Sequence, residues 1–217
     1  MKRGQQRQQE RIGLVTKVAR LLLCAGLLAP VYGAEDLRAL AGGADQEIGA
    51  GETRVYELAV ERGQFVEVVL DQKGGNGVDL AIAGPDNQQI AECDIPNGGT
   101  GPQVVAIIAT AGGTHRVRIR YSELPSGDER LPVRFAVRSV IVRHPTAEDR
   151  TKAEAEIAYT RARQLQRQLS AESRRAAVEE YDRATALFES FGDTYRVGII
   201  RNAVGLVQAR LGSMRPA

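Results

Sequence analysis

The chain contains no tryptophan, and only two cysteines and two histidines occur among its 217 residues. Aromatic side chains make up 5% of the sequence, so large rings are scarce both for a core and for an exposed binding platform. Imidazoles and thiols are the usual nucleophiles, general bases and soft metal ligands at neutral pH. Their scarcity leaves few candidates for nucleophilic or imidazole chemistry.

Proline is also missing over a long stretch, between Thr146 and Pro216. Ala, Glu, Arg and Gln dominate there, as is typical of helical segments. Upstream of Thr146, Gly and Pro separate short apolar runs. The change of composition near residues 144–145 predicts two small structural parts behind a leader.

The longest apolar run, residues 21–29, is about half the length that a membrane span needs. Six Lys and Arg precede it, and the small residues Gly33 and Ala34 follow it. This order is typical of a secretory signal peptide. We predict a signal peptide over residues 1–34, cut after Gly33 or Ala34, and a secreted or periplasmic protein that meets the membrane only transiently. An uncleaved anchor is the alternative.

The formal net charge of +2 changes sign when the leader is removed. Six of the 29 Lys and Arg and one of the 27 Asp and Glu lie in the leader, which leaves 23 basic and 26 acidic residues. We therefore predict no nucleic-acid partner. Cys93 is then the one remaining cysteine, so no internal disulfide is expected.

Short runs with period-two alternation fill residues 50–142, as expected for β-strands separated by turns. Seven or so antiparallel strands in an all-β, jelly-roll-like sandwich are predicted, after a linker at residues 35–49. The inward positions include Tyr56, Leu58, Val60, Val66, Val68, Leu70, Val78, Leu80, Ile82, Val105, Ile107, Val117, Ile119, Tyr121, Val133, Phe135 and Val137.

Three stretches of this part resemble a known family. They are Gly63-Gln64-x-Val66-x-Val68, Val78-Asp79-Leu80-x-Ile82-x-x-Pro85, and Gly112-Gly113-Thr114-His115-x-Val117-x-Ile119. Together they resemble the bacterial pre-peptidase C-terminal domain, a secreted β-sandwich. The resemblance implies a non-catalytic accessory module.

No cofactor or metal is predicted. Asp and Asn residues lie in the loops of this part, but none has the alternating spacing that wraps a calcium ion in oxygens. A sugar-binding platform has little support, because Phe65 is the one ring on the outward phase of a strand. The row Arg116, Arg118 and Arg120 is interpreted as a solvated outer face, with attraction of an anionic partner as the alternative.

From Thr146 the apolar period changes to between three and four, which predicts three amphipathic helices over residues 146–212. Thr146 and Ser170 are predicted to cap the first two helices, and Gly192 to end the second. The three apolar stripes are Ala155, Ala158, Ala162, Leu165 and Leu169; Ala177, Tyr181, Ala184, Phe188 and Phe191; and Val197, Ile200, Val204, Val207 and Leu211.

This part resembles the tetratricopeptide repeat family, in which small residues let paired helices approach closely. Ala177, Tyr181 and Ala184 match the second-helix pattern, and Gly205 matches the first-helix glycine. These four residues are predicted to pack the repeat. A generic three-helix bundle is the alternative.

The order of these structural parts along the chain also resembles a known type of protein. A sandwich, the segment Arg143-x-x-Thr146-x-x-Asp149-Arg150-x-x-Ala153-Glu154 and then repeats resemble the front end of secreted bacterial proteins that often finish in a caspase-like CHAT peptidase module. Any peptidase chemistry which that association implies belongs to a module not found in this sequence.

No catalytic residue is predicted. Cys93, His115 and His144 lie in a loop, a strand and a linker without the signature of a cysteine protease. The predicted function is a non-enzymatic exported scaffold or adaptor whose helices bind a protein or peptide in the groove between them, with Arg161, Arg201 and Asn202 as candidate contacts. Self-association through an open helical face is a further possibility. The alternatives are an accessory or regulatory region of a secreted CHAT-type protease system, and an envelope- or carbohydrate-binding module.

Overall fold

The computed structural model describes residues 36–73, 77–93, 100–122 and 132–212. Eight strands, one short 3-10 helix and three α-helices occur in these residues, with all strands before all α-helices. The 3-10 helix is Leu37–Leu40, and the strands are β1 Gln46–Ile48, β2 Thr53–Val60, β3 Phe65–Lys73, β4 Gly77–Ala83, β5 Gln89–Cys93, β6 Thr100–Ile108, β7 Gly113–Ser122 and β8 Val133–Arg143. The α-helices are α1 Ala147–Arg167, α2 Ala171–Ser190 and α3 Thr194–Gly212.

The strands form two four-stranded sheets, in the orders β1-β8-β3-β6 and β2-β7-β4-β5. Every strand pair is antiparallel. The predicted order of a β-sandwich followed by a small helical segment is therefore confirmed. In each sheet one edge strand, β6 or β5, lies on the side where the helices pack.

The sandwich core consists of the inward side chains that the alternation predicts. On β7, for example, Val117, Ile119 and Tyr121 are buried, while Arg118 and Arg120 between them are exposed. Because successive side chains of a strand point to opposite faces, one row fills the space between the sheets and the other meets solvent.

The segment predicted as a linker, residues 35–49, contributes to the sandwich. Leu37 of the 3-10 helix and Ile48 of β1 are fully buried in the core. Strand β1 pairs with β8 over three residues. A strand of three residues is too short for an alternating pattern to be visible in the sequence.

The connection between β8 and α1 is held by a dense set of polar contacts. The Arg143 guanidinium donates to both Asp149 carboxylate oxygens, at 2.5 and 2.9 Å. Thr146 caps α1, and Thr146 and Asp149 form a capping box. The same guanidinium lies 5.5 Å from the centre of the Phe65 ring. These contacts of Arg143, Thr146 and Asp149 thus fix the direction in which α1 leaves the sheet.

The three helices pack through small residues and rings. Ala155, Ala158 and Ala162 of α1 share a buried cluster with Tyr181 and Phe188 of α2. Ser170 caps α2 at its start, and Phe191 is the C-cap at its end. The next residue, Gly192, has a φ of 79°. The first stripe is shorter than predicted, because Leu169 lies in the turn after α1 with a φ of 64° and is exposed.

Helix α1 packs against β5, β6 and β3, and so covers the neighbouring edges of both sheets. The Glu92 amide, on the free side of β5, donates to Thr160 Oγ1 at 3.0 Å. Ile199 of α3 belongs to the core cluster of the sandwich. The described sandwich and helices lie in one compact unit. Covering an edge strand in this way removes backbone groups that would otherwise pair with another chain.

Candidate functional site

The most concentrated polar chemistry of the described chain lies where β5, α1 and α3 meet. Arg196 is 3% exposed and forms an ion pair with Glu156, also 3% exposed. Its Nη1 donates to Cys93 Sγ at 2.9 Å. The guanidinium carbon lies 4.7 Å from the Tyr159 ring centre and 5.1 Å from that of Phe188. We name these five residues the Arg196 cluster.

The Arg196 cluster joins β5, α1 and α3 through buried polar contacts. Burial raises the pKa of the Cys93 thiol, so the nucleophilic thiolate is disfavoured. Burial also raises the pKa of Glu156 to about 7, against the opposing charge of Arg196. The Cys93 side chain is fully buried, and that of Glu156 is nearly so. The charges of Arg196 and Glu156 pair with each other, as buried charges in proteins generally do.

The two histidines lie apart from the cluster. His115 is fully buried on the inward face of β7, where its Nδ1 lies 3.3 Å from the Gly113 carbonyl oxygen. His144 is exposed between β8 and α1. No described contact joins either imidazole to Cys93. Among the residues that the structure describes, no three or more His, Cys, Asp or Glu side chains are grouped so that they could hold a metal ion.

The predicted repeat-packing residues fall into two environments. Ala177, Tyr181 and Ala184 are fully buried between the helices, and the Tyr181 hydroxyl donates to Gln166 Oε1 at 2.6 Å. Gly205 is exposed, and a Cβ built there meets no atom within 4 Å. Among the described residues, no helix approaches α3 closely at this glycine.

The predicted partner-binding residues do not form one patch. Arg201 and Asn202 are exposed neighbours on α3, and Arg201 Nη2 pairs with Glu189 Oε1 at 2.7 Å. Arg161 is exposed on α1. No described contact brings Arg161 to the other two. Of the predicted partner-binding residues, the neighbours Arg201 and Asn202 therefore leave α3 as the helix with a candidate binding surface.

One side of α3 is open along its whole length. Tyr195, Gly198, Asn202, Gly205 and Leu206 are all exposed, and at about 100° per residue they fall within about a third of the helix circumference. We name them the α3 outer face. Tyr195 and Leu206, the two large hydrophobic side chains of this face, are 45% and 53% exposed. The seven-residue spacing of the two glycines is the sequence signal that reveals this face.

The sandwich packs against the side of α1 and α3 that carries Glu156 and Arg196. Cys93 of β5 reaches Arg196 there, and Ile199 joins the sandwich core. The edge of the sandwich thus fills the space between these two helices. Phe65, the ring expected to be outward, is 1% exposed and offers no platform for a sugar.

We predict that Gly198→Ala and Gly205→Ala each raise the free energy of unfolding by about 0.5–1 kcal/mol, because alanine loses less backbone entropy than glycine in a helix. Space is available, since a Cβ at either position meets no atom within 4 Å. Urea denaturation followed by circular dichroism measures the effect. Ala209→Gly, also exposed on α3, is the reverse control and loses a similar amount. Destabilisation by both alanines would show that the face is covered in solution.

Comparisons with known proteins found partial alignments with solved structures. No protein family and no curated protein matches this chain. Among solved structures, a periplasmic lysozyme inhibitor of g-type lysozyme from Aeromonas hydrophila aligns with 46% of this chain and 83% of its own, at 16% identity and TM-score 0.33. A pre-peptidase C-terminal domain of collagenase from Bacillus anthracis aligns with 46% and 86%, at 14% identity and TM-score 0.35.

A third structure, a Bacillus licheniformis lipase in propeptide form, aligns with 51% of this chain and 23% of its own, at 17% identity and TM-score 0.29. Each alignment takes in about half of the present chain. As a separate finding, none of the described helices is long and apolar enough to cross a bilayer.

Proposed function

We propose that this protein is an exported, non-enzymatic adaptor that binds a helix of a partner protein on its α3 outer face. The observation that carries the proposal is the open stripe of Gly198 and Gly205, flanked by exposed Tyr195 and Leu206. Glycine in a helix interior costs about 1 kcal/mol relative to alanine. Two such positions on one face are favourable where another backbone must approach closely.

The chemistry of the α3 outer face fits a helix better than an extended peptide. The two glycines lie about 10.5 Å apart along the axis, which is two helical turns. Tyr195 and Leu206 supply apolar contact area near the ends, and Asn202 supplies a donor and an acceptor between them. An amphipathic partner helix with small or apolar residues on one side complements this arrangement.

Within this proposal the sandwich is an accessory module of the pre-peptidase C-terminal type, and the helices are a tetratricopeptide-like pair with one further helix. The sandwich edge takes the place of a ligand between α1 and α3, so partner binding is assigned to the outer side instead. The absence of catalysis is supported by the full burial of Cys93 and His115.

The test is affinity capture from the envelope of the cells that make the protein, comparing wild type with the double variant Gly198→Arg and Gly205→Arg. We expect a protein that co-purifies in stoichiometric amount with wild type to be lost from the double variant. Glu179→Arg, an exposed change on α2, is the matched control and retains it. Circular dichroism checks that all three proteins are folded.

Two results would overturn the proposal. Equal capture by all three proteins would place the partner surface elsewhere. Light scattering that shows a dimer of wild type, dispersed by the double variant, would assign the face to self-association instead.

A further inference from the structure

A pocket of about 230 Å³ lies between the helices and the outer face of the sheet β1-β8-β3-β6. Glu67 and Val69 of β3 line it together with Val104 and Ala106 of β6. In the register of these two strands Glu67 lies opposite Ala106, and Val69 lies opposite Val104. Phe191, directly after α2, lines the pocket from the helical side. We name it the Glu67 pocket.

One part of the Glu67 pocket is apolar and only partly covered. Val69 and Val104 are half-buried, and so is Phe191. The Phe188 ring, which also lines the pocket, lies edge-on to the Phe191 ring with 5.6 Å between the ring centres. Covering the half-buried apolar side chains with an apolar group removes their surface from water, which is favourable.

The charges of the Glu67 pocket are unequally paired. Of the five charged side chains among the described residues that line it, four have partners outside the lining. Arg138 pairs with Asp71, Lys152 with Glu148 and Glu156 with Arg196, and Asp193 accepts from the Arg196 amide. The fifth is Glu67, whose carboxylate forms no hydrogen bond and no ion pair with the described part of the chain.

The surroundings of Glu67 disfavour its negative charge. Burial raises the pKa of the Glu67 carboxyl; the positive charges of Lys152 and Arg143 act in the opposite direction, and Asp149 and Glu148 add to the rise. Lys152 therefore acts on Glu67 at longer range while its own ion pair, at 3.3 Å, is with Glu148. A cation in direct contact with a partly buried carboxylate is attracted more strongly than in bulk water.

We propose that the Glu67 pocket binds a small organic ammonium ion that carries an aromatic group. The ammonium donates to the Glu67 carboxylate, and the aromatic ring covers Val69 and Val104. Same-face side chains of a strand repeat every 6.8 Å or so, a distance that a two-carbon link and a ring can cover. No residue of the α3 outer face lines this pocket, so the site goes beyond the adaptor function.

The experiment titrates phenethylammonium into the isotope-labelled full chain and follows the backbone amides by NMR. We expect saturable shifts at the amides of Val69, Val104 and Phe191. Phenethyl alcohol, a neutral ligand of the same shape, binds about tenfold more weakly, because it lacks the charge-assisted hydrogen bond. Glu67→Gln weakens binding of the amine by a similar factor and leaves binding of the alcohol unchanged.

Two further variants check the position and the sign of the charge. Glu179→Gln is the matched control, since Glu179 is exposed on α2 and does not line the pocket. This variant retains the wild-type affinity for the amine. Lys152→Gln binds the amine more tightly than wild type does, because a positive charge that repels the ligand is removed.

Four results contradict the proposal. The first is the absence of saturable shifts at the three amides, and the second is equal affinity of wild type for the amine and the alcohol. The third is a Glu67→Gln variant that binds the amine as well as wild type does. The fourth is tighter binding of phenylpropionate, which would assign the pocket to anions held by Lys152 and Arg138.

Discussion

Replacing Arg196 with Met lowers the free energy of unfolding by about 3–5 kcal/mol, because it leaves the carboxylate of Glu156 buried without its counter-charge. Cys93 loses its hydrogen bond and two rings lose their cation in the same change. Although burial opposes it, the neighbouring Cys93 and Glu156 raise the pKa of Arg196, so wild type keeps this charge at any ordinary pH. Urea denaturation followed by circular dichroism gives the difference.

The stability lost in Arg196→Met depends on pH, and the pKa of Glu156 sets the direction of this dependence. Burial raises the pKa of Glu156 from 4.5 to about 7 in the folded protein. The stability that Glu156 contributes is therefore fully present below its unfolded pKa and is lost as the pH rises through the folded pKa. Without Arg196 the folded pKa rises further. We expect Arg196→Met to cost less near pH 5 than near pH 8, because protonation removes the buried charge.

Two further variants separate charge from packing. Glu156→Gln removes the pH dependence between about 5 and 7 that this carboxyl causes in wild type. The apolar pair Arg196→Met with Glu156→Leu is more stable than Arg196→Met alone, because no unpaired charge remains. A double variant as unstable as the single one would show that lost packing, rather than the buried charge, causes the effect.

The second large effect is the loss of stability when the helices are separated from the sandwich against which they pack. We predict that the whole chain unfolds in one transition and that neither part is stable when separated. Separation exposes the edges of β5 and β6, removes Ile199 from the sandwich core and breaks the contact of Thr160 with the Glu92 amide. Isolated helices with alanine-rich faces have little apolar area of their own to bury.

A protease site inserted between His144 and Pro145 tests this prediction. After cleavage the two parts stay associated in native buffer, and each regains structure from urea only when the other is present. The isolated sandwich shows no cooperative thermal transition of its own. A second cleavage site after Gly192 separates α3 alone and leaves α1 on the sandwich, so it measures the share that Ile199 and Arg196 contribute. Two parts that refold alone, each with its own transition, would contradict the prediction.

The sequence predicts the local elements well because each has a strong periodic signal. Alternation identifies the strands that bury Val117 and Ile119, and the caps at Thr146 and Ser170 mark where α1 and α2 begin. Strand β1 is not predicted, since three residues carry no period. The elements that were predicted and the strand that was missed both depend on patterns of a few consecutive residues.

The junction could not be predicted for a different reason. Glu156 and Arg196 are charged, so a periodic pattern places them on the solvent side of their helices. Their burial depends on each other and on Cys93, which is distant in sequence. His115 likewise follows the inward phase of β7 although it is polar. Pairing between remote charges leaves no trace in a single sequence.

The distance between Cys93 and Arg196 along the chain also governs the order of events during synthesis. The two residues are separated by 103 positions, so β5 leaves the ribosome long before the helix that completes its surroundings. Until then the edges of both sheets stay bare and are able to pair with other nascent chains. A product of premature termination keeps those bare edges permanently. Truncated copies that end before α1 therefore expose strand edges that this helix covers in the folded protein.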